Sequence, residues 1–192
     1  MIAAGEGARA MNDPTRLRRQ LEEGIQLAIG TEQVARELLA ELAALPARPV
    51  LVETYHALAQ QADARAERLA ALLAEMGARQ RVEIPDGARG LVSDFHQSEV
   101  DLQTAGAAVD WISLATAMQL VHYQLARTTL LVELARALGE IALFDRLRTL
   151  RSEVESSRRA LEDRLLTLLP AGRDHSARIQ ETRANGFPRE KT

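Results

Sequence analysis

The chain has 192 residues, enough for one domain with a real hydrophobic core, and no cysteine, which removes disulfides, thiol chemistry and cysteine-ligated metals. Apolar residues make up 46% and charged residues 27%, so the chain is not of the disordered class, and no apolar stretch reaches the roughly 18–20 residues that cross a bilayer. Twenty-four basic and 27 acidic residues leave a net charge of -3, without the concentrated positive field of a nucleic-acid binder, so neither nucleic acid nor membrane is an expected partner.

Ala and Leu make up about a third of the chain and aromatics only 3%, a composition of packed helices rather than sheets. Met1 to Met11 lacks the long apolar core of a secretory signal, so a cytoplasmic location is expected and residues 1–12 are read as a flexible segment. The first helix-length segment opens at Asp13-Pro14, an N-cap followed by a proline at the first helical position, and runs to about Leu45 before Pro46. Leu21, Ile25, Ala28, Glu32, Ala35, Leu39 and Leu42 form its stripe, with Gly24 and Gly30 permitting close backbone approach. The second segment covers Val50 to Met76 and stops at Gly77, with the stripe Val52, Tyr55, Ala59, Ala62, Ala66, Leu69, Leu73 and Met76.

Residues 78–99 form a long connection containing Pro85-Asp86-Gly87, within which Leu91, Val92 and Phe95 suit one or two helical turns. The third segment begins at Val100 or Ala107 and ends at Leu138-Gly139, with the stripe Trp111, Leu114, Met118, Val121, Leu125, Thr128, Val132 and Ala135. The fourth covers Glu140 to Leu169, turning Leu147, Leu150, Val154, Ser157 and Leu161 inward, and Pro170 and Gly172 end it. Residues 170–192 read as a polar tail, with a weak further helix over Asp174–Ala184. Steps of three and four predict a left-handed bundle over residues 13–169, and the long connection permits either a crossover that sets the second and third segments parallel, the preferred reading, or a loosely packed surface insertion.

Glu32 interrupts an apolar stripe: either a carboxylate there requires a cation, a metal or a proton, or Gly24 and Gly30 rotate the face and Glu32 reaches solvent. The one Glu-x-x-His sequence, Glu53 to His56, lies near the start of the second segment and reads as surface. His96, His122 and His175 form no spacing cluster, and His122 beside Val121 suits a core or interhelical hydrogen bond. No Gly-rich phosphate loop follows a strand, and no nucleophile and base are paired by motif.

Several pieces in order carry a family resemblance over residues 17–168. They are Thr31-Glu32-Gln33, Glu67-Arg68-Leu69 ahead of Met76-Gly77, Gly90-Leu91, Asp110, His122-Tyr123, Ala137-Leu138-Gly139 and Glu153. With them the chain resembles the ferritin-like YciE/YciF family of small bacterial four-helix proteins. The resemblance implies an all-α, ferritin-like four-helix bundle with a dinuclear metal site of carboxylates and histidine, a link to stress responses, and dimer formation. Residue by residue, Glu32 and Glu153 keep acids of that pattern. Gln61 and Arg65 stand where the second helix would carry an acid and a histidine, Gln124 replaces the acid after His-Tyr, and Arg158 replaces a fourth-helix acid. Arg has donors only and cannot hold a cation, and Gln is a weak hard-metal ligand.

The expectation is therefore a degenerate member with no catalytic residue, resident metal or cofactor. Glu32, Gln61, Arg65, His122, Gln124, Glu153 and Arg158 form its core polar network. The expected function is structural or interactive, with a homodimer or larger homo-oligomer and an unidentified protein partner. The alternatives are a di-iron or dimanganese oxidase or metal-handling protein, and a helical adaptor presenting the arginines of the fourth segment to an acidic partner.

Overall fold

The computed structural model describes residues 13–45, 47–81, 83–102 and 108–168; the expected leader, tail and Asp174–Ala184 helix lie outside them. The fold is all-α, with five helices and no strand among the described residues: α1 Pro14–Ala44, α2 Pro49–Glu75, α3 Asp86–Leu102, α4 Ala108–Leu138 and α5 Ile141–Leu168. None of them is long and apolar enough to cross a membrane.

Local chemistry sets the boundaries. The Asp13 side chain accepts a hydrogen bond from Thr15 N at 3.0 Å, ahead of Pro14 at the start of α1. Both α2 and α4 end on glycines at positive φ, Gly77 (77°) and Gly139 (74°). The next residues reach back to close the helix ends, Ala78 N to Leu73 O and Glu140 N to Ala135 O.

Two apolar clusters reveal the topology. Leu21 and Ile25 of α1 meet Leu69 and Leu73 of α2, Leu131 of α4 and Leu147 of α5 at one end. At the other, Leu42, Leu51, Leu58, Leu114, Val121 and Leu161 come together. The start of α1 thus lies with the ends of α2 and α4 and the start of α5, so α1/α2 and α4/α5 are antiparallel pairs while α2 and α4 run the same way. The most extensive packing is α1 on α2 and α4 on α5, with α1 on α4 and α2 on α5 completing the set.

Parallel α2 and α4 require the connection to run the length of the molecule. It does so along α1, and Gly30 is its seat: a Cβ there would stand 2.0 Å from the Glu83 carbonyl oxygen. Its helical part is longer than one or two turns. The seventeen-residue α3 buries Ala88 and Phe95 and half-buries Leu91 and Val92 against α1 and α4. Beyond Phe95 the helix continues through the exposed polar residues His96, Gln97 and Ser98, which hydropathy alone does not register.

Two stripes bury most of their expected residues, Tyr55, Ala59, Ala62, Leu69 and Leu73 in α2 and Leu114, Val121, Thr128, Val132 and Ala135 in α4, but shift in part. In α2 the inward line runs Thr54, Leu58, Ala62, Arg65 and Leu69, leaving Val52 and Ala66 half-buried. In α4, Trp111 is 42% exposed while Asp110, Ser113 and Ala117 are buried. Apolar residues surround α4 on all sides, so periodicity assigns it no direction. Polar ties do: the Asp110 carboxylate accepts from Arg48 N at 2.9 Å, and Tyr55 donates to Ser113 Oγ at 3.0 Å.

Candidate functional site

Between the two apolar clusters the core is polar. Glu32 of α1, Arg65 of α2, Gln124 and Thr128 of α4 and Ser157 of α5 are all buried, at the level where Ile29 and Ala35 belong to different clusters. Each sits at an inward position of its own helix: Glu32 between Ala28 and Ala35, Arg65 between Ala62 and Leu69, Gln124 between Val121 and Thr128.

One oxygen organises this layer. Arg65 Nε and Nη2 donate to Glu32 Oε2 at 3.1 and 2.9 Å, and Gln124 Nε2 donates to the same oxygen at 2.7 Å. Thr128 donates to its own helix at Gln124 O, 3.0 Å away. Ser157 reaches the Gln61 side-chain oxygen at 3.1 Å. Glu32 and Arg65 are each exposed by no more than 2%, so both charges have left water. Burial pushes the Glu32 carboxyl above the usual carboxylate range, against the opposing pull of the Arg65 guanidinium and the Gln124 amide. Among the described residues Arg65 Nη1 and Gln124 Oε1 find no hydrogen-bond partner, leaving a donor group and an acceptor open in the core.

The other residues expected in this network lie elsewhere. His122 points outward on α4 and is exposed, because Val121, Gln124 and Thr128 take the inward positions. Glu153 stands one residue before inward Val154, a rotation of about 100° that turns it toward α2, where it pairs with Arg68. Arg158 stands one residue after inward Ser157 and binds Glu155 and Glu162 of its own helix. Gln61 is exposed and touches the layer only through Ser157. Glu53 and His56 are both on the surface.

Glu153 belongs instead to a ladder between α2 and α5. Thr54, Gln61, Arg68 and Glu75 follow one another at seven-residue steps on α2, facing Arg164, Ser157, Glu153 and Arg146 of α5. Arg68 has a sequence signal in that polar repeat of seven, which a search confined to apolar stripes passes over.

The dinuclear centre that the family resemblance implies needs several carboxylates and imidazoles around one space. The residues present do not fit it. A single carboxylate faces the layer, two guanidinium N–H groups and an amide already occupy one of its oxygens, and a metal ion beside Arg65 would meet like charge. Among the described residues no three His, Asp or Glu side chains gather as ligands would.

Comparison with curated proteins and with solved structures returned no match. Residues 16–171 match the family described as a domain of unknown function, DUF892, which covers every described helix but the first two residues of α1. The chain belongs to that DUF892 family.

Proposed function

We propose that this chain is a non-catalytic, ferritin-like four-helix protein that acts by binding partners, itself first among them as a homodimer, with a stress-associated role as the YciE/YciF resemblance implies. Four long helices with α2 parallel to α4 across a strapped connection support the ferritin-like assignment. The single observation that carries the non-catalytic reading is the Arg65 guanidinium on Glu32 Oε2. It supplies in the middle of the core the positive charge that a cation would otherwise bring. The adaptor alternative draws less support, because the α5 arginines Arg146, Arg148, Arg158 and Arg159 already pair with acids of this chain.

Tag-free protein loaded with Fe(II) or Mn(II), desalted and analysed for metal, tests the reading. Substoichiometric metal, unchanged by Glu32→Gln, is expected. One or two tightly held ions per chain, lost in Glu32→Gln, would refute it and restore the oxidase or metal-handling alternative.

A further inference from the structure

We infer that the outward face of α4 is a self-complementary seam on which two copies of this chain pack with their α4 helices antiparallel. The inference deepens the binding role proposed above and rests on it.

From Trp111 to Ala126 the chain contains no Asp, Glu, Lys or Arg. A helix apolar on all sides belongs in an interior, yet α1, α3 and α5 cover only part of α4. What stays uncovered includes Trp111 at 42% and Leu130 at 53% exposure, two of the four large hydrophobic side chains the described surface displays. Between them on the same face lie Ala115, Gln119, His122 and Ala126, all exposed.

The order of these six residues selects the occupant. About a two-fold axis between Leu120 and Val121, an antiparallel copy brings Trp111 beside Leu130, Ala115 onto Ala126, and Gln119 beside His122, each contact made twice as an isologous interface demands. Small residues meet at the centre of each half, where backbones approach closely, and large apolar residues close the ends. The Gln119 amide of one copy and the His122 imidazole of the other meet at the axis. In the same register Glu133 faces Ala108, so no like charges oppose. The six face residues from Trp111 to Leu130 offer a strongly charged partner no counter-charge.

The size suits a weak dimer. A two-fold between Leu120 and Val121 overlaps residues 108–133, about 39 Å of helix at 1.5 Å per residue, and with a helix width of roughly 11 Å the shared face offers roughly 430 Å² per protomer. Two such faces total roughly 860 Å², the range of weak, transient association.

Sedimentation of the full chain across dilution is expected to shift from the 21.1 kDa protomer to twice that mass. Ala115→Arg, on an exposed helical position, sets a guanidinium against Ala126 of the other copy and should weaken the dimer roughly 100-fold or more. Its helicity by circular dichroism should be retained. Adding Ala126→Glu to the same chain makes two ion pairs across the seam and should restore association. The chain is free of cysteine, so mixing an Ala115→Cys protein with an Ala126→Cys protein under oxidation should give a crosslinked pair that neither forms alone. A monomer at every concentration, a dimer indifferent to Ala115→Arg, or crosslinking of Ala115→Cys to itself would each overturn the seam. A metal-free monomer would sink this interface and leave the reading of the core standing. Stoichiometric metal in a dimer with this register would do the reverse.

Discussion

Replacing Arg65 by Met removes the only guanidinium among the described residues that hydrogen-bonds the buried Glu32 and leaves Gln124 as its one side-chain partner there. At about 3 Å, with an effective dielectric near 20, the Coulomb energy of the pair is roughly 5–6 kcal/mol. Loss of a buried partner ordinarily costs about 3–5 kcal/mol, because an uncompensated charge stays behind. The ceiling is set by protonation. Glu32 already sits above its reference value of 4.5 through burial, and without Arg65 it rises further, exchanging ionisation for a bound proton.

The sign of the pH dependence follows. A carboxyl whose folded pKa is raised holds its proton more tightly folded than unfolded, so stability falls as pH climbs from about 4.5 toward the folded value. Urea unfolding followed by helical ellipticity should show Arg65→Met about 3–5 kcal/mol less stable at neutral pH, with the deficit shrinking as pH falls toward the raised folded value of Glu32, above 4.5, and constant below it. The Glu32→Gln/Arg65→Met double variant removes both charges and should recover a large share of the loss. A deficit below about 1 kcal/mol that does not change with pH would refute the account, since it would mean that Glu32 does not depend on Arg65 for its charge.

Gly30→Ala should cost about 2–3 kcal/mol despite the better helix propensity of Ala, because the obstructing atom is a backbone carbonyl oxygen 2.0 Å away. Gly90→Ala in α3 meets nothing within 4 Å and should stabilise by about 0.5–1 kcal/mol; thermal melts of the two variants that moved in the same direction would contradict the seat. Tyr55, pushed up to about 12 chiefly by burial, should ionise late in an alkaline absorbance titration. Because its folded value exceeds the unfolded 10, Tyr55 should make stability decline as pH rises through 10 to 12, a component that Tyr55→Phe removes. Arg158→Gln breaks pairs within one helix at the surface and should leave the melting curve unchanged within error, in contrast to Arg65→Met.

The apolar α1 stripe was legible in its spacing, whereas Glu32 read equally as buried or as turned to solvent by Gly24 and Gly30, and only the fold sets it inward. Arg65 and Gln124 were reached only through a family pattern: an Arg or Gln among alanines carries no inward signal, and Ala66 offered hydropathy an easier stripe than Arg65 did. Glu153, Arg158 and His122 were placed inward by the same pattern and are not, since one residue of offset is about 100° on a helix. Trp111 misled for a different reason. Large aromatic residues are usually core residues, and α4 has apolar groups on every side, so only ties such as Asp110 to Arg48 fix its rotation. The crossover was read from length alone; its seat on Gly30 needed three dimensions.

Helices lined by alanine and leucine can slide past one another by a turn and still find hydrocarbon to touch, which makes their alignment degenerate. Glu32, Arg65 and Gln124 lift that degeneracy. A slip of α2 by one turn, about 5.4 Å, would strand a guanidinium opposite methyl groups and leave the Glu32 carboxylate without its counter-charge. The layer thus works as an alignment key. It lowers the number of ways the long helices can associate, and so favours a single native packing over a family of near-equals.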